Sequence, residues 1–532
     1  MSATGGGTAG GTGTAAPPAD GVARRPGAAI LALTVAGVAQ AADVSIHNTA
    51  IASAAGELGM SASQRSFAAS AATLAMAASI LTVGTIGDRF GRRLTLLWCA
   101  VALVLGGVVT ALAADTLVYI IGRVITGIGL AGTLALSMAL IRTVAPDRVP
   151  RAMSLYFTGQ VGFALPLTIL GGALIGGSWR LGYLVVPVVG IAALVLNRAY
   201  VPRSKAVHRR RSDPVGLVLV ALGLVGVIWG VSSASAGWLT VGVIVPLVVG
   251  VVALVAFLRW ELHHEEPALP VHLFKNRDLA GALSADVSFN MWQAVMTLQL
   301  SLLWQYVYAY SPLEVTVRQL PATIAMVLGA FAAGRLATRG RSPQSLVLVG
   351  LAGVAIAMYV FATAGLSTPY WVFGVGLVVG GFSRMLTETS AGQFFVAVPP
   401  PDLVGATVAS KPAIGQASFA LGLALSSTLL YGGLGRGLGE RLGDLGLTPS
   451  QQGQVIGWFS DDDVPGWAQG TDLLQQVTAS AQDAYIDAYR LTMLVFAVFF
   501  TIMFGVTYSL LRGRRKGAEA GATDAPAGPA TV

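Results

Sequence analysis

Gly84-Thr85-Ile86-Gly87-Asp88-Arg89-Phe90-Gly91-Arg92-Arg93 places three arginines, an aspartate and three glycines between two apolar stretches, each long enough to cross a bilayer. Glycine permits tight turns and close helix approach, and the short cytoplasmic loops of membrane proteins collect Lys and Arg. The stretch therefore reads as a short cytoplasmic hairpin between two transmembrane segments, and the remainder of the chain is oriented from it.

Composition agrees. Of 532 residues only 11% are charged and 54% are hydrophobic, with a mean hydropathy of +0.71, whereas soluble domains carry about 25% charged residues. Apolar material runs along nearly the whole length, which makes this a polytopic membrane protein. The net charge of +8 does not point to nucleic acid, because the basic residues lie in short loops. The single cysteine, Cys99, sits in an apolar run; it rules out an intrachain disulfide and reads as a packing thiol. Residues 1–26 are rich in Gly, Ala and Thr, lack a basic segment leading into a short apolar core, and read as a disordered cytoplasmic tail rather than a signal peptide. Residues 512–532 read as a second such tail.

A bilayer core of about 30 Å takes about 20 helical residues per crossing. The expected fold is all-α, with about fourteen crossings. Six lie near 27–50, 66–86, 94–113, 117–141, 153–176 and 181–200. After the basic loop VPRSKAVHRRRSDP come two more, near 215–233 and 238–258, and after the charged linker 259–278 a further six, near 279–307, 316–336, 343–364, 369–393, 403–430 and 488–511. The domains expected are thus an N-terminal bundle over 27–200, an inserted pair with its flanking loops over 201–278, and a C-terminal bundle over 279–511. Alternating the loops puts Arg24, Arg25, Arg89, Arg92, Arg93, Arg148, Arg151, the run Arg203 to Arg211, Lys275, Arg277, Arg339, Arg341 and Arg512 to Lys516 on one side. That asymmetry places both termini in the cytoplasm. One long outer connection, 431–487, contains Thr448-Pro449-Ser450-Gln451, the pattern of a capped helix start. Its Asp461-Asp462-Asp463 lacks the glycine and glutamate of a calcium loop and reads as a solvated turn.

With Gly84, Asp88, Arg89, Gly91, Arg92 and Arg93 at their spacing, the opening stretch resembles the cytoplasmic signature of the major facilitator superfamily. The resemblance implies a charge network that latches the cytoplasmic side shut in the outward-open state. Asp43-Val44-Ser45-Ile46-His47-Asn48-Thr49-Ala50-Ile51 resembles the first-span motif of the family's fourteen-span drug:proton antiporters. An ionisable group deep in a span is by default a functional candidate. Asp43 can carry a proton or meet a substrate cation, or serve as a structural acceptor near the outer interface. His47, one turn on, shares its face and reads first as a packed residue. Arg123 in GRVITGIGLAG is similar to a fourth-span pattern linked to proton coupling; a guanidinium keeps its proton, so its part would be to hold or tune a carboxylate. The fifth span departs from the antiporter pattern: Leu165-Pro166 precedes Gly171-Gly172 by four residues, although Gly162, Pro166, Gly171 and Gly172 still make a kink-prone, hinge-like helix.

In the second half, Gly334 to Arg341 is a degraded copy of the opening signature, with Thr338 where the aspartate would stand. Asp286, Asn290 and Gln293 share a face, with Asp286 about 12 Å in from Asp278 and the strongest proton or substrate-charge candidate there. Arg384 and Glu388 form an i, i+4 pair that can neutralise itself. Lys411 reads as snorkelling to the cytoplasmic edge. His47, Asn48, Asn290, Trp292, Gln293 and Gln305 are expected to line the substrate cavity.

The reading is a proton-coupled efflux antiporter that exports apolar or amphipathic small molecules, such as drugs or antibiotics, across the cytoplasmic membrane. Its expected partners are the small-molecule substrate, protons and the lipid bilayer, with the chain acting as a monomer. No metal site, no cofactor and no enzymatic constellation is expected, and no phosphate-binding loop that would couple the chain to ATP. An uncoupled facilitator or lipid or metabolite exporter of the same fold is the alternative, and a sensor or scaffold using segment 431–487 a second one.

Overall fold

Hydrocarbon offers no water to peptide groups, so a chain this apolar must close its backbone hydrogen bonds within helices or a closed barrel. This sequence takes the helical solution. The computed structural model describes residues 25–146, 149–203, 213–234, 237–264, 271–400, 404–445, 447–448, 451 and 472–523, and it contains no strand among them. The helices are α1 (Pro26–Glu57), α2 (Ala62–Phe90), α3 (Arg92–Ala111), α4 (Thr116–Val144), α5 (Val149–Ile175), α6 (Trp179–Tyr183), α7 (Val185–Tyr200), α8 (Pro214–Ser233) and α9 (Val241–His263). They continue as α10 (Arg277–Tyr306), α11 (Pro312–Arg318), α12 (Leu320–Thr338), α13 (Pro343–Ala362), α14 (Tyr370–Ala397), α15 (Val404–Asp444) and α16 (Asp472–Thr523). With α6–α7 and α11–α12 each forming one broken crossing, fourteen result.

Side chains set many of the helix starts. Ser61 with Gln64 and Ser311 with Glu314 close capping boxes, while Asp115, Asn276 and Ser342 accept from the first-turn amides of α4, α10 and α13. The opening stretch is not a loop: Gly84 to Phe90 end α2 and Arg92 begins α3, so Gly91 alone turns the chain, with φ 103°. Only glycine adopts that angle without strain.

The two six-crossing halves repeat one packing plan. In the first, α1 lies against α4, α5 and α7, and α3 against α4 and α7; in the second, α10 lies against α14, α15 and α16, and α13 against α14 and α16. The halves meet through α2 on α15, α5 on α11 and α1 on α10. The pair α8–α9 is seated by α8 against both α2 and α15, flanking that seam. Twelve described helices are apolar enough to cross a membrane; α10 is not among them. It does not need to be, since Leu279 to Trp304 is mostly buried by neighbouring helices and hidden from lipid.

The described residues at both ends of the connection 431–487 are helical. Helix α15 runs on to Asp444, about 60 Å in all at 1.5 Å per residue, well beyond a bilayer core. Its Leu434, Leu438 and Leu442 are buried together with Val477, Ala481 and Ala484 of α16, and Arg441 pairs with Asp487. Gln451 donates its amide to Thr448 Oγ1 at 3.4 Å, and its side chain accepts from the Thr448 amide at 2.9 Å. Asp461 to Asp463 lie outside the described residues.

Small residues set the helix spacing. A Cβ on Gly129 of α4 would stand 2.5 Å from the Leu103 amide nitrogen of α3, whereas one on Gly84 meets nothing within 4 Å. Gly129→Val should therefore lower the thermal midpoint in detergent, by about 1–3 kcal/mol of stability. Gly84→Ala should leave it unchanged or raised; equal losses in both would separate stability from this contact.

Candidate functional site

Charge inside the bundle gathers at two depths. In the first half, Arg123 Nη1 and Nη2 donate to the two carboxylate oxygens of Asp43 at 2.7 and 2.8 Å, with each side chain 2% exposed. The aspartate lies seventeen residues into α1 and the arginine seven into α4. These helices run in opposite directions, which brings both to the end of the bundle remote from Gly91, here called the far end. The geometry is a bidentate fork, the arrangement that suits guanidinium to carboxylate.

Around the pair sits a closed group of hydrogen bonds. His47 Nε2 is 3.2 Å from the Ala69 carbonyl and Nδ1 is 2.6 Å from the Tyr183 hydroxyl. A carbonyl only accepts, so Nε2 carries a proton toward Ala69, while Nδ1 and the Tyr183 hydroxyl share a hydrogen bond and the Tyr183 and Tyr119 hydroxyls, 2.6 Å apart, share the next. Both ring nitrogens are thus used. The Arg123 guanidinium lies 5.4 Å from the Tyr183 ring centre.

The second-half group lies nearer the Gly91 end. Asp286 is nine residues into α10, Lys411 seven into α15, and Arg384 and Glu388 sit on α14. Lys411 Nζ is 3.2 Å from Asp286 Oδ1 and 3.7 Å from Glu388 Oε1, and Arg384 Nη2 is 3.1 Å from Glu388 Oε2. Lys411 therefore does not snorkel, because two carboxylates inside the bundle hold its ammonium. Asn290 Nδ2 adds a contact of 3.4 Å to Asp286 Oδ2. Phe289 lies beneath both cations, its ring centre 5.5 Å from the Arg384 guanidinium carbon and 5.4 Å from Lys411 Nζ. The Asp286 carboxylate is 1% exposed, while Lys411 is 23% and Glu388 29% exposed.

The halves are joined at the far end. Asn48 Nδ2 donates to Thr297 Oγ1 at 3.0 Å, the Ser66 and Thr428 hydroxyls are 3.2 Å apart, and Arg65 stacks over Tyr431. At the Gly91 end, Asp88 accepts from Arg92 Nε at 2.7 Å and Arg93 donates to the Arg198 carbonyl. Those partners belong to the same half. The signature thus ties α2, α3 and α7 to one another.

The six residues expected to line the cavity are not brought to one surface. Asn48 is in the far-end seam, His47 is sealed against Tyr183, and Gln305 donates to the Ser301 carbonyl. Trp292 is fully buried with its ring against Gly380 of α14, pointing into the second bundle. Asn290 and Gln293 are half-buried beside Asp286. The four hinge residues divide likewise: Gly162 and Pro166 are exposed on an unbroken α5, while Gly171 and Gly172 are where α5 meets Ile46 and Thr316. Sequence reasoning missed Tyr119 and Tyr183, which look like interfacial aromatics, and the pairing of Lys411. A signal for the latter existed, since an ionisable residue inside a span is by default paired.

The family model described as Major Facilitator Superfamily matches residues 33–427. Among curated relatives, the "Multidrug resistance protein B homolog" of Mycobacterium tuberculosis (strain CDC 1551 / Oshkosh) is 29% identical over 365 residues, 66% of each chain. The "Tetracenomycin C resistance and export protein" of Streptomyces glaucescens is 26% identical over 364 residues, 67% of each. The chain thus spans about two thirds of those relatives, and about half of others, such as the H37Rv homolog at 53%. Among solved structures, a bacterial homologue of the human lysosomal transporter Spinster, titled inward-facing and unoccupied, has a TM-score of 0.62 at 17% identity and covers 92% of this chain and 98% of its own. A POT family peptide transporter gives 0.62 at 14%, covering 92% and 97%.

Removing one member of a buried pair strands the other. Asp43→Asn should cost about 3–5 kcal/mol, read as a lowered thermal midpoint in detergent, and an Asp43→Leu/Arg123→Met double variant should recover most of it. A double variant less stable than the single one would show that the pair is not the stabilising unit.

Proposed function

We propose that this chain, which belongs to the Major Facilitator Superfamily, exports apolar or amphipathic small molecules by alternating access, driven by an inward proton gradient. The observation that carries this reading is the placement of charge: a sealed pair near the joined far end, and a partly exposed group nearer the opposite end, where the named partners of the signature stay within one half. Relatives named for multidrug resistance and for tetracenomycin C resistance and export support the direction of transport and the class of cargo.

In this reading the Gly91 end faces the cytoplasm, both termini lie there, and the membrane is the cytoplasmic one. Cargo enters from that side past Glu388 and Lys411. Protonation of Asp286 or Asp43 changes the balance of its charge group, and a proton bound with different affinity in two states shifts the equilibrium between them. Movement of protons down their gradient then drives outward release. The irregular Pro166 to Gly172 segment supports a second reading, facilitation without proton coupling.

Proteoliposomes loaded with an uncharged lipophilic dye and given a pH step should show dye movement that Asp286→Asn and Asp43→Asn each abolish. Normal pH-driven movement in both variants would remove proton coupling through these carboxylates. Asp88→Asn should slow transport by tenfold or more while dye affinity stays within about twofold, because Asp88 holds the α2–α3 corner; weakened affinity with unchanged transport would reduce the signature to a topological turn.

A further inference from the structure

In the two charge groups inside the described crossings, the ionisable side chains cancel. Asp43 is matched by Arg123, and Asp286 and Glu388 are matched by Arg384 and Lys411. His47 has both ring nitrogens taken up, by the Tyr183 hydroxyl and the Ala69 carbonyl. The remaining buried carboxylates, Asp213, Asp278 and Glu261, stand at or just outside helix termini: the cap of α8, the first turn of α10 and the last turn of α9.

The two cations of the second group are held differently. Arg384 is 11% exposed, with one nitrogen toward Glu388 and another 3.4 Å from Met326 Sδ. Lys411 is more exposed and ends a flexible four-carbon stem. Its nearest carboxylate oxygen is Asp286 Oδ1 at 3.2 Å, with Glu388 Oε1 at 3.7 Å on its other side. Two carboxylates, Asp286 and Glu388, hold Lys411 there, whereas Arg384 faces Glu388 alone.

Without Lys411, two carboxylates would share one arginine above the face of Phe289. Carboxylates beside an aromatic face are what recognises an organic cation. We propose that the Lys411 ammonium is a built-in occupant of that cation site, and that it sets the cargo class: molecules without net charge, neutral or zwitterionic amphipaths, are accepted and lipophilic cations are excluded. This rests on the export reading above for its cargo route, though the charge balance itself does not. A cationic cargo would have to displace Lys411 or add an unmatched charge inside the bundle, and both are unfavourable in a medium of low polarity.

The test compares binding of tetraphenylphosphonium and of the uncharged N-phenyl-1-naphthylamine to the full-length protein in detergent, with transport of both in proteoliposomes. The wild type should bind the uncharged probe at least tenfold more tightly than the cation. Lys411→Gln should move that ratio tenfold or more toward the cation, Lys411→Arg should not, and adding Asp286→Asn to Lys411→Gln should reverse the gain. A wild type that binds the two probes equally overturns the proposal, even if no variant folds. So does a folded Lys411→Gln variant whose ratio is unmoved. Loss of gradient-driven transport with the wild-type binding preference intact would count against the export reading and in favour of this one.

Discussion

The interior of the bundle cannot leave a charge unmatched, and much of the arrangement follows from that constraint. Placing an arginine among hydrocarbon is costly on any scale. The bidentate pair with Asp43 offsets the cost by using both oxygens and two nitrogens in one plane. The pair also fixes α1 against α4 at a defined height, because a fork can close in few relative positions. His47, Tyr183 and Tyr119 then have little freedom, since each hydroxyl or ring nitrogen must find the next. The far-end seam through Asn48 is carried by the same helix, one residue beyond His47. One matched charge thus positions a helix, a hydrogen-bonded cluster and a contact between halves.

The second group meets the same constraint less tightly. Asp43 and Arg123 exchange two directed bonds within a sealed site, whereas Lys411 sits between two carboxylates at 3.2 and 3.7 Å in a partly exposed one. Rigid matching suits the half that holds the seam, and looser matching suits a group that must rearrange. The outer edge of the first half makes a comparable compromise. Asp88 at the end of α2 and Arg92 at the start of α3 each share the sign of the partial charge at their own helix terminus, and their contact at 2.7 Å answers both penalties. That corner is stable only while the two helices remain together, which makes it a joint that moves as a unit.

The fourteen crossings were legible because hydropathy measures what lipid demands, and α10, more polar than the rest, was still apolar over enough of its length to be placed near 279–307. Helix ends were less so. Gly91 ends α2 and starts α3 within one residue, where basic residues suggested a loop, and α15 continues past the bilayer because Leu434, Leu438 and Leu442 find apolar partners on α16. Of the site, Asp43, Arg123, Asp286, Arg384 and Glu388 stood out as charges in apolar spans. Their grouping did not, because Asp43 and Arg123 are eighty residues apart in sequence and Asp286 and Lys411 farther still. Spacing along one helix revealed Arg384 with Glu388; no local pattern could reveal a group whose members come from three helices.

The separation in depth between the two groups has a consequence for how a single gradient could act on both. Asp43 lies about 26 Å along α1 from its start and Asp286 about 14 Å along α10 from its own, at 1.5 Å per residue, and both helices begin at the Gly91 end. With the halves joined at the far end, the upper pair is sealed while Lys411 and Glu388 keep partial exposure. A rocking motion that opened the far end and closed the other would act on the two groups in opposite senses, because each belongs to a different half and they sit at different depths. Two charge groups at one depth would be exposed and hidden together. Set at two depths, they can meet water in turn, and that alternation is what a carrier requires if one side is to load while the other is shut.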